Sequence, residues 1–142
     1  MVTAPLFVSQ ADSTNSWCRR KLEQLPDVFA VYTTCQTAGR GRRHRAWANA
    51  PGQGLYYTVV CKRPMADPAA LPLAASLAAM NALEEQVGIR CQVKWPNDLI
   101  WQGKKLGGIL CEADQGAILC GIGINRMQDG ASFAPNGLAP GV

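Results

Sequence analysis

The sequence predicts an α+β fold in which helices flank a mixed, mostly antiparallel sheet. One long pattern rich in alanine and leucine, residues 68–87, predicts a single long helix. Strand patterns are more numerous, and four of them follow one another closely between residues 91 and 124. Tight turns containing glycine join strands of this group, and such turns connect antiparallel neighbours. We expect one domain over residues 1–125, followed by a loop or disordered tail over residues 126–142.

The first half of the chain predicts three strands and one short helix. Cap-type residues at 12–15 precede the helix, which places Cys18, Leu22 and Leu25 on one face. Pro26 ends it, because proline cannot continue a helix. The strand candidates, of which the third is rich in β-branched and aromatic side chains, are residues 6–8, 28–34 and 54–61.

The second half begins with the long helix, which Gly88 ends. Its apolar stretch, residues 71–83, is too short to span a bilayer, which needs about 20 residues. We therefore expect a buried helix and no membrane segment. The remaining strand candidates are residues 91–95, 99–101, 106–112 and 117–124, with turns at 102–104 and 114–116.

Composition favours a cytoplasmic globular protein. Of the 142 residues, 48% are hydrophobic and 17% are charged, and the N-terminal residues do not form a secretory signal. None of the six cysteines forms a Cys-x-x-Cys pair, and His44 is the one histidine, so the sequence does not favour a zinc site. Reduced, buried cysteines are the expectation.

The basic character of the chain is local. Its 14 Lys+Arg exceed its 10 Asp+Glu by four, and residues 39–45 (Gly-Arg-Gly-Arg-Arg-His-Arg) contain four arginines. Guanidinium groups on a glycine-loosened backbone suit a mobile loop that binds phosphate. A solvated basic turn and a nucleic-acid patch are the alternatives. Basic residues do not extend the cluster and aromatic residues do not interleave it, which disfavours the nucleic-acid interpretation.

Four further patterns are each ambiguous. Residues 94–98 (Lys-Trp-Pro-Asn-Asp) place a cation and a possible magnesium ligand at a strand end, or simply form a turn. Residues 104–108 (Lys-Lys-Leu-Gly-Gly) allow close approach of a ligand, or mark a β-bulge or hairpin start. Residues 121–125 (Gly-Ile-Gly-Ile-Asn) lack the third glycine and the helix of a dinucleotide fingerprint. Residues 13–15 (Ser-Thr-Asn) alone suggest a helix cap.

Together and in this order, these patterns resemble the catalytic domain of biotin protein ligases, which has a fold like that of class II aminoacyl-tRNA synthetases. The resemblance spans nearly all of the chain up to Asn125. The matching segments are residues 13–15, 36–47, 94–98, 105–110 and 121–125.

The resemblance implies a ligase that joins biotin and ATP into biotinyl-5′-AMP and pyrophosphate. A lysine of a biotin carboxyl carrier domain then takes the biotinyl group and releases AMP. It implies Mg²⁺ as cofactor, with Asp98 as its ligand, and Arg42, Lys94 and Lys105 as catalytic residues. The residues implied to bind biotin or ATP are Ser13, Thr14, Asn15, Gln36, Gly39, Arg40, Gly41, Arg42, Arg45, Trp47, Lys94, Asn97, Asp98, Lys105, Gly107, Gly108 and Asn125.

The chain departs from the family pattern in two ways. His44 stands where the family usually has glycine, which affects how the arginine loop closes. Family members usually continue into further helices and a small SH3-like barrel, so we expect a catalytic domain that is incomplete at its C-terminus. The residues before Ser13 leave no room for the DNA-binding domain of some members, and a homodimer is possible.

Three other functions remain open. A lipoate or octanoate ligase shares the fold but usually carries an Arg-Arg-x-Ser-Gly-Gly-Gly run, which this chain lacks. A truncated module that binds biotin or adenylate without completing catalysis is the second. A nucleic-acid binder that uses the arginine loop is the third.

Overall fold

A seven-stranded mixed sheet forms the centre of the molecule. The computed structural model describes residues 4–47 and 52–126. The strands are β1 (Leu6–Phe7), β2 (Val28–Thr33), β3 (Gly54–Cys61), β4 (Gln92–Lys94), β5 (Asp98–Trp101), β6 (Lys104–Asp114) and β7 (Ala117–Asn125). The α-helices are α1 (Thr14–Arg20) and α2 (Leu71–Val87), and short 3-10 turns occupy Leu22–Gln24, Arg42–His44 and Pro68–Ala70. The predicted tail lies outside the described residues, apart from Arg126.

The predicted sheet type is confirmed. The strand order is β1-β2-β3-β7-β6-β5-β4, and β1 pairs with β2 in parallel while every other neighbouring pair is antiparallel. The turns predicted at residues 102–104 and 114–116 both form, as two-residue hairpin turns at Gln102–Gly103 and Gln115–Gly116. All four of these residues have φ between 49° and 77°. Positive φ at both central positions gives the turn whose twist matches that of the flanking strands.

The two helices cover opposite faces of the sheet. Cys18 and Leu22 pack with Leu119 of β7 in one apolar cluster, whereas Ala75 of α2 packs with Cys120 of β7 in another. Because side chains alternate along a strand, the odd-numbered residues near the end of β7 lie on the α1 face. The predicted helix after residue 15 is shorter than expected, since α1 ends at Arg20 and a 3-10 turn carries Leu22.

The prediction that α2 is a buried helix is wrong. The sheet covers only one side of α2, so Ala75 and Ser76 are its buried residues. Leu73 and Leu77 on the other side remain 39% and 43% exposed. The predicted helix end is confirmed, because Gly88 takes the left-handed conformation with φ 71° and caps the helix. No helix among the described residues has the length and apolar character needed to cross a lipid bilayer.

A β-bulge in β6 decides which face Lys105 occupies. Pairing with β5 jumps from Leu99↔Gly107 to Ile100↔Lys105, so Leu106 is an extra residue in β6. The extra residue reverses the alternation of side chains, and Lys105 therefore lies on the same face as Gly108. Its Cε is 3.4 Å from the position that a Cβ atom on Gly108 would take. The bulge and hairpin start that the sequence allowed at residues 104–108 are both present.

All six cysteines are free thiols; three of them are buried, as expected, whereas the other three are only partly buried. Cys111 and Cys120 face each other across β6 and β7, with their sulfur atoms 3.5 Å apart. Burial raises the pKa of Cys18 to about 12, which keeps this thiol protonated and unreactive.

Candidate functional site

A cavity opens over β6 and β7 on the face of the sheet that α1 covers. It contains about 510 Å³ of empty space, including its open mouth. Its walls come from the start of α1, the arginine-rich segment, the turn before β5 and the glycine-rich stretches of β6 and β7. The lining residues are Ser13, Thr14, Asn15, Gln36, Arg40, Gly41, Arg42, Trp47, Tyr56, Asn97, Lys105, Gly108, Ile109, Leu110, Gly121, Ile122 and Gly123.

The N-terminus of α1 supplies a polar wall. Ser13 is the N-cap of this helix, and its hydroxyl accepts a hydrogen bond from the backbone N–H of Ser16 at 3.0 Å. Gln36 Oε1 accepts from the backbone N–H of Thr14 at 2.8 Å. Within the part of the chain that the structure describes, no group accepts from Nε2 of Gln36. This amide N–H₂ is therefore oriented by the protein and available to a ligand carbonyl.

Asn15 forms a rigid part of the same wall. Its Oδ1 accepts from the buried hydroxyl of Thr58 at 2.6 Å, and its Nδ2 donates to the carbonyl of Leu110 at 3.1 Å. Nδ2 also donates to Glu112 Oε2 at 3.0 Å. Gly121 makes room for the amide, because a Cβ atom there would lie 2.6 Å from Asn15 Oδ1. Both amide hydrogens of Asn15 are used within the protein, so it shapes the cavity more than it donates to a ligand.

The arginine-rich segment forms a hairpin-like loop. The backbone N–H of Trp47 donates to the carbonyl of Gly39 at 2.9 Å, and that of Gly41 donates to the carbonyl of Arg45 at 2.7 Å. At the tip, Arg43 and His44 are left-handed, with φ 57° and 60°. Glycine takes this conformation at the lowest cost, so His44 occupies a backbone conformation that favours glycine.

Arg40 is paired with a carboxylate. Both of its terminal nitrogens donate to Glu112, at 2.7 and 2.8 Å. Arg19 adds a contact of 3.2 Å to the same carboxylate. Burial opposes ionisation of Glu112, but the hydrogen bonds from Arg40 and Asn15 and the charges of Arg40 and Arg19 outweigh it, and the pKa falls to about 2. The charge of Arg40 is thus balanced by Glu112 at the cavity wall.

Arg42 is the most available cation of the cavity. Its Nη1 donates to Asn97 Oδ1 at 3.2 Å, and Asn97 is in turn fixed by a 3.0 Å hydrogen bond from its Nδ2 to the carbonyl of Ile109. Arg42 itself is exposed. Of the three cations on the wall, Arg42 alone has no carboxylate partner among the described residues. An oriented guanidinium without a counter-charge is suited to a phosphate or an acyl phosphate.

Lys105 and Trp47 close the other side of the cavity. Lys105 Nζ lies 3.1 Å from Asp98 Oδ1 and 4.9 Å from the centre of the Trp47 ring. The ring lies on two glycines that face each other across β6 and β7, because added Cβ atoms at Gly108 and Gly123 would approach it to 3.0 and 3.2 Å. The group that approaches Gly108 is the Trp47 ring, and the close approach of biotin that the resemblance implies there stays a prediction.

Eleven of the predicted binding residues lie together on the cavity wall, whereas six do not. Gly39 is buried and supports the loop through its carbonyl, while Arg45 and Lys94 are exposed away from the wall. Asp98 reaches the site indirectly through Lys105. Asn125 is buried, and its Nδ2 donates to the carbonyl of Lys105 at 3.0 Å.

Gly107, which the resemblance implies at the ligand site, does not line the cavity. Gly107 follows the regular alternation with Gly108 and so lies on the α2 face, where an added Cβ atom would lie 2.6 Å from the carbonyl oxygen of Gly123 and 2.8 Å from Ile124 Cδ1. Gly107 is therefore required for packing between strands. Adjacent glycines in a strand point to opposite faces, so only one of the pair could face the cavity.

Sequence reasoning missed Thr58 and Glu112, which hold the wall residues in place. A signal for Glu112 was present, since it shares a strand face with Gly108 and Leu110 and is the charged residue in that otherwise apolar run. Thr58 has no comparable signal, because threonine is common in strands. Tyr56, Gly121 and Gly123 also line the cavity without having been predicted to bind a ligand.

The described residues contain no group of three or more histidine, cysteine or acidic side chains that could hold a metal ion. Asp98 is the acidic residue that contacts Lys105 of the cavity wall, at 3.1 Å. This donor set fits Mg²⁺ only if phosphate and water oxygens supply most of the ligands, which is the usual mode for this ion.

Comparisons with known proteins agree on one group of relatives. The biotin/lipoate A/B protein ligase family matches residues 7–129. The bifunctional ligase/repressor BirA of Bacillus subtilis is 36% identical over 115 residues, which cover 76% of the chain and 35% of that relative. The crystal structure of biotin protein ligase from Leishmania major in complex with biotinyl-5-AMP matches with a TM-score of 0.81 and 28% identity, over 99% of the chain and 64% of that structure.

A second solved structure, biotin protein ligase from Aquifex aeolicus in complex with biotin and ATP, has a TM-score of 0.79 and 31% identity. That match covers 89% of the chain and 55% of the Aquifex structure. The chain thus spans about a third of the Bacillus relative and about three fifths of these two structures.

Proposed function

Since the chain belongs to the biotin/lipoate A/B protein ligase family, we propose that it is an ATP-dependent biotin ligase. Its reaction joins biotin to AMP and then transfers the biotinyl group to a lysine of a biotin carboxyl carrier domain. The relatives support this choice of substrates, because the Leishmania protein was crystallised with biotinyl-5-AMP and the Aquifex protein with biotin and ATP. Six free thiols support action in the reducing cytoplasm.

The observation that carries the proposal is that Arg42 lies on the cavity wall. Among the described residues, all charged side chains on this wall are cationic. In the first step the biotin carboxylate attacks the α-phosphorus of ATP, the bond to the bridging oxygen breaks, and pyrophosphate leaves. Arg42, fixed by Asn97, stabilises the negative charge on the phosphoryl oxygens during this exchange. Lys105 supplies a second positive charge on the opposite side.

The polar wall suits the other substrate. Nε2 of Gln36 and the hydroxyl of Thr14 lie at the start of α1, where they can bind the ureido group of biotin. Trp47, Tyr56 and Ile122 give the cavity apolar surface for the rest of the molecule. Mg²⁺, when bound, would neutralise phosphate charge, and we assign Asp98, which contacts Lys105, as its candidate oxygen ligand.

In the second step the amine of the carrier lysine attacks the acyl carbon of biotinyl-AMP, and AMP leaves. No covalent intermediate with the protein is needed, so the cavity works by positioning and charge stabilisation. The cavity walls also shield the mixed anhydride from water.

Biotin-dependent exchange of labelled pyrophosphate into ATP tests the proposal directly. We expect exchange with biotin and none with lipoate or octanoate. Exchange with lipoate or octanoate but not with biotin would identify a lipoate-type ligase instead. Biotin binding without exchange, and without labelling of a carrier domain, would show a binding module.

The role of Arg42 is tested in the same assay. We expect Arg42→Ala to lower the exchange rate by about 10²–10³, which is the usual effect of removing one such charge-stabilising group. Arg43→Gly is the matched control, because it removes an adjacent exposed arginine that does not line the cavity. Glycine also adopts the left-handed φ of 57° at that position. Equal losses in both variants would contradict the role of Arg42.

A further inference from the structure

Glu112 connects parts of the molecule that are far apart in the sequence. Its carboxylate accepts two hydrogen bonds from Arg40 of the loop and one from Asn15 of α1, at 2.7 to 3.0 Å. Arg19 of α1 lies 3.2 Å away. Glu112 does not line the cavity itself, but Arg40 and Asn15 do. One side chain on β6 therefore fixes both the loop and the helix that enclose the cavity.

The other hydrogen bonds of Arg40 and Asn15 do not replace the contacts that Glu112 makes with them. The remaining contacts of the Asn15 side chain are neutral hydrogen bonds to Thr58 and Leu110. Among the described residues, Glu112 is the carboxylate within ion-pair distance of Arg40. Without this carboxylate the guanidinium of Arg40 would have to find water or phosphate, and the loop would lose its ion pair to the sheet.

We propose that Glu112 is a positioning residue that holds Arg40 and Asn15 in the geometry required to bind the vitamin substrate. This inference rests on the proposed function in one respect, the identity of that substrate. Glu112 acts on binding rather than on the chemical step, because the groups that face the phosphate, Arg42 and Lys105, are held by Asn97 and Asp98 instead.

The variant Glu112→Gln keeps the size of the side chain but places an N–H₂ donor against the donors of Arg40 and Asn15. We expect its KM for biotin to rise about tenfold or more, with the KM for ATP and kcat within about twofold of the parent protein. Asp114→Asn is the matched control, because Asp114 lies two residues along the same strand and binds Arg19 at 2.8 Å, without an ion pair to Arg40. It should leave all three constants near the parent values.

Trypsin cleavage provides a readout that does not depend on biotin. Arg42, Arg43 and Arg45 are exposed, so release of the loop from Glu112 should speed cleavage after these residues, as followed by mass spectrometry. We expect faster cleavage in Glu112→Gln than in Asp114→Asn or the parent protein. Faster cleavage in a protein that shows no biotin-dependent exchange would support the anchoring while overturning the proposed function.

The inference about Glu112 is overturned if the parent protein is active and Glu112→Gln shows unchanged loop cleavage and an unchanged KM for biotin. It is also overturned if kcat alone falls, since that result would indicate general structural damage or a role in the chemical step. A double variant, Arg40→Met with Glu112→Gln, should bind biotin no more weakly than Arg40→Met alone if the carboxylate acts mainly through Arg40.

Discussion

Single residues at the tip of the arginine loop determine its backbone shape. Arg43 and His44 both have φ near 60°, a region that L-residues occupy at a cost of about 1–2 kcal/mol. The resemblance to the family implies a glycine at position 44. The structure shows that His44 adopts the left-handed conformation there. The loop of this chain therefore contains strain that a glycine would relieve.

We expect His44→Gly to raise the free energy of unfolding by up to about 1 kcal/mol, because it removes the left-handed penalty but adds freedom to the unfolded chain. His44→Val should lower it by about 1–2 kcal/mol, since a β-branched residue resists this φ more strongly. Urea unfolding of both variants measures the difference. If His44→Val were more stable than His44→Gly, residue 44 would not have the left-handed conformation.

At the scale of single elements, β6 contributes residues both to the cavity face of the sheet and to the face that α2 covers. Its bulge brings Lys105 to the cavity, while regular alternation places Gly107 toward α2 and Gly108 beneath Trp47. Strand patterns were read correctly from the sequence, and β3 has the predicted bounds. The bulge itself was one of several possibilities for residues 104–108, because the sequence shows where glycines occur but not how neighbouring strands pair.

The two glycines of β6 should respond differently to the same substitution. Gly107→Ala directs a methyl group at the backbone oxygen of Gly123, which cannot move aside, so we expect a loss of about 1–3 kcal/mol in unfolding free energy. Gly108→Ala meets the movable ring of Trp47 and should cost less stability but weaken substrate binding. Denaturant unfolding together with substrate KM values would separate the two effects, and equal behaviour of the two variants would contradict the assignment of faces.

At the scale of the whole molecule, the burial of α2 could not be predicted from the sequence. A stretch rich in alanine and leucine can form a helix that is buried on all sides or a helix that is covered on one side only. Leu73 and Leu77 show that the second case applies here. The location of Glu112 between α1 and the loop was equally hidden, because its partners lie 72 and 97 positions away along the chain.

The network around Glu112 also makes the stability of the whole fold depend on pH. Its pKa is about 2 in the folded protein and 4.5 as the reference value. Because folding lowers the pKa, the stabilisation is fully present above pH 4.5 and is lost as the pH falls toward 2. The loss is at most about 3 kcal/mol, and solvent screening of this partly exposed group reduces it.

We therefore expect the unfolding free energy to fall more steeply between pH 4.5 and 2 in the parent protein than in Glu112→Gln. Denaturant unfolding at a series of pH values measures both slopes. Identical slopes would show that the carboxylate is not stabilised by its partners in the folded chain.

Trp47 gives the protein an optical probe of its own cavity. The indole lies against Gly108 and Gly123 with a lysine ammonium above its ring, so any ligand that enters must change the polarity or quenching around it. Emission excited at the tryptophan band should shift as biotin or ATP is added, and Trp47→Phe should abolish most of that change. A titration could then follow occupancy in real time without a label.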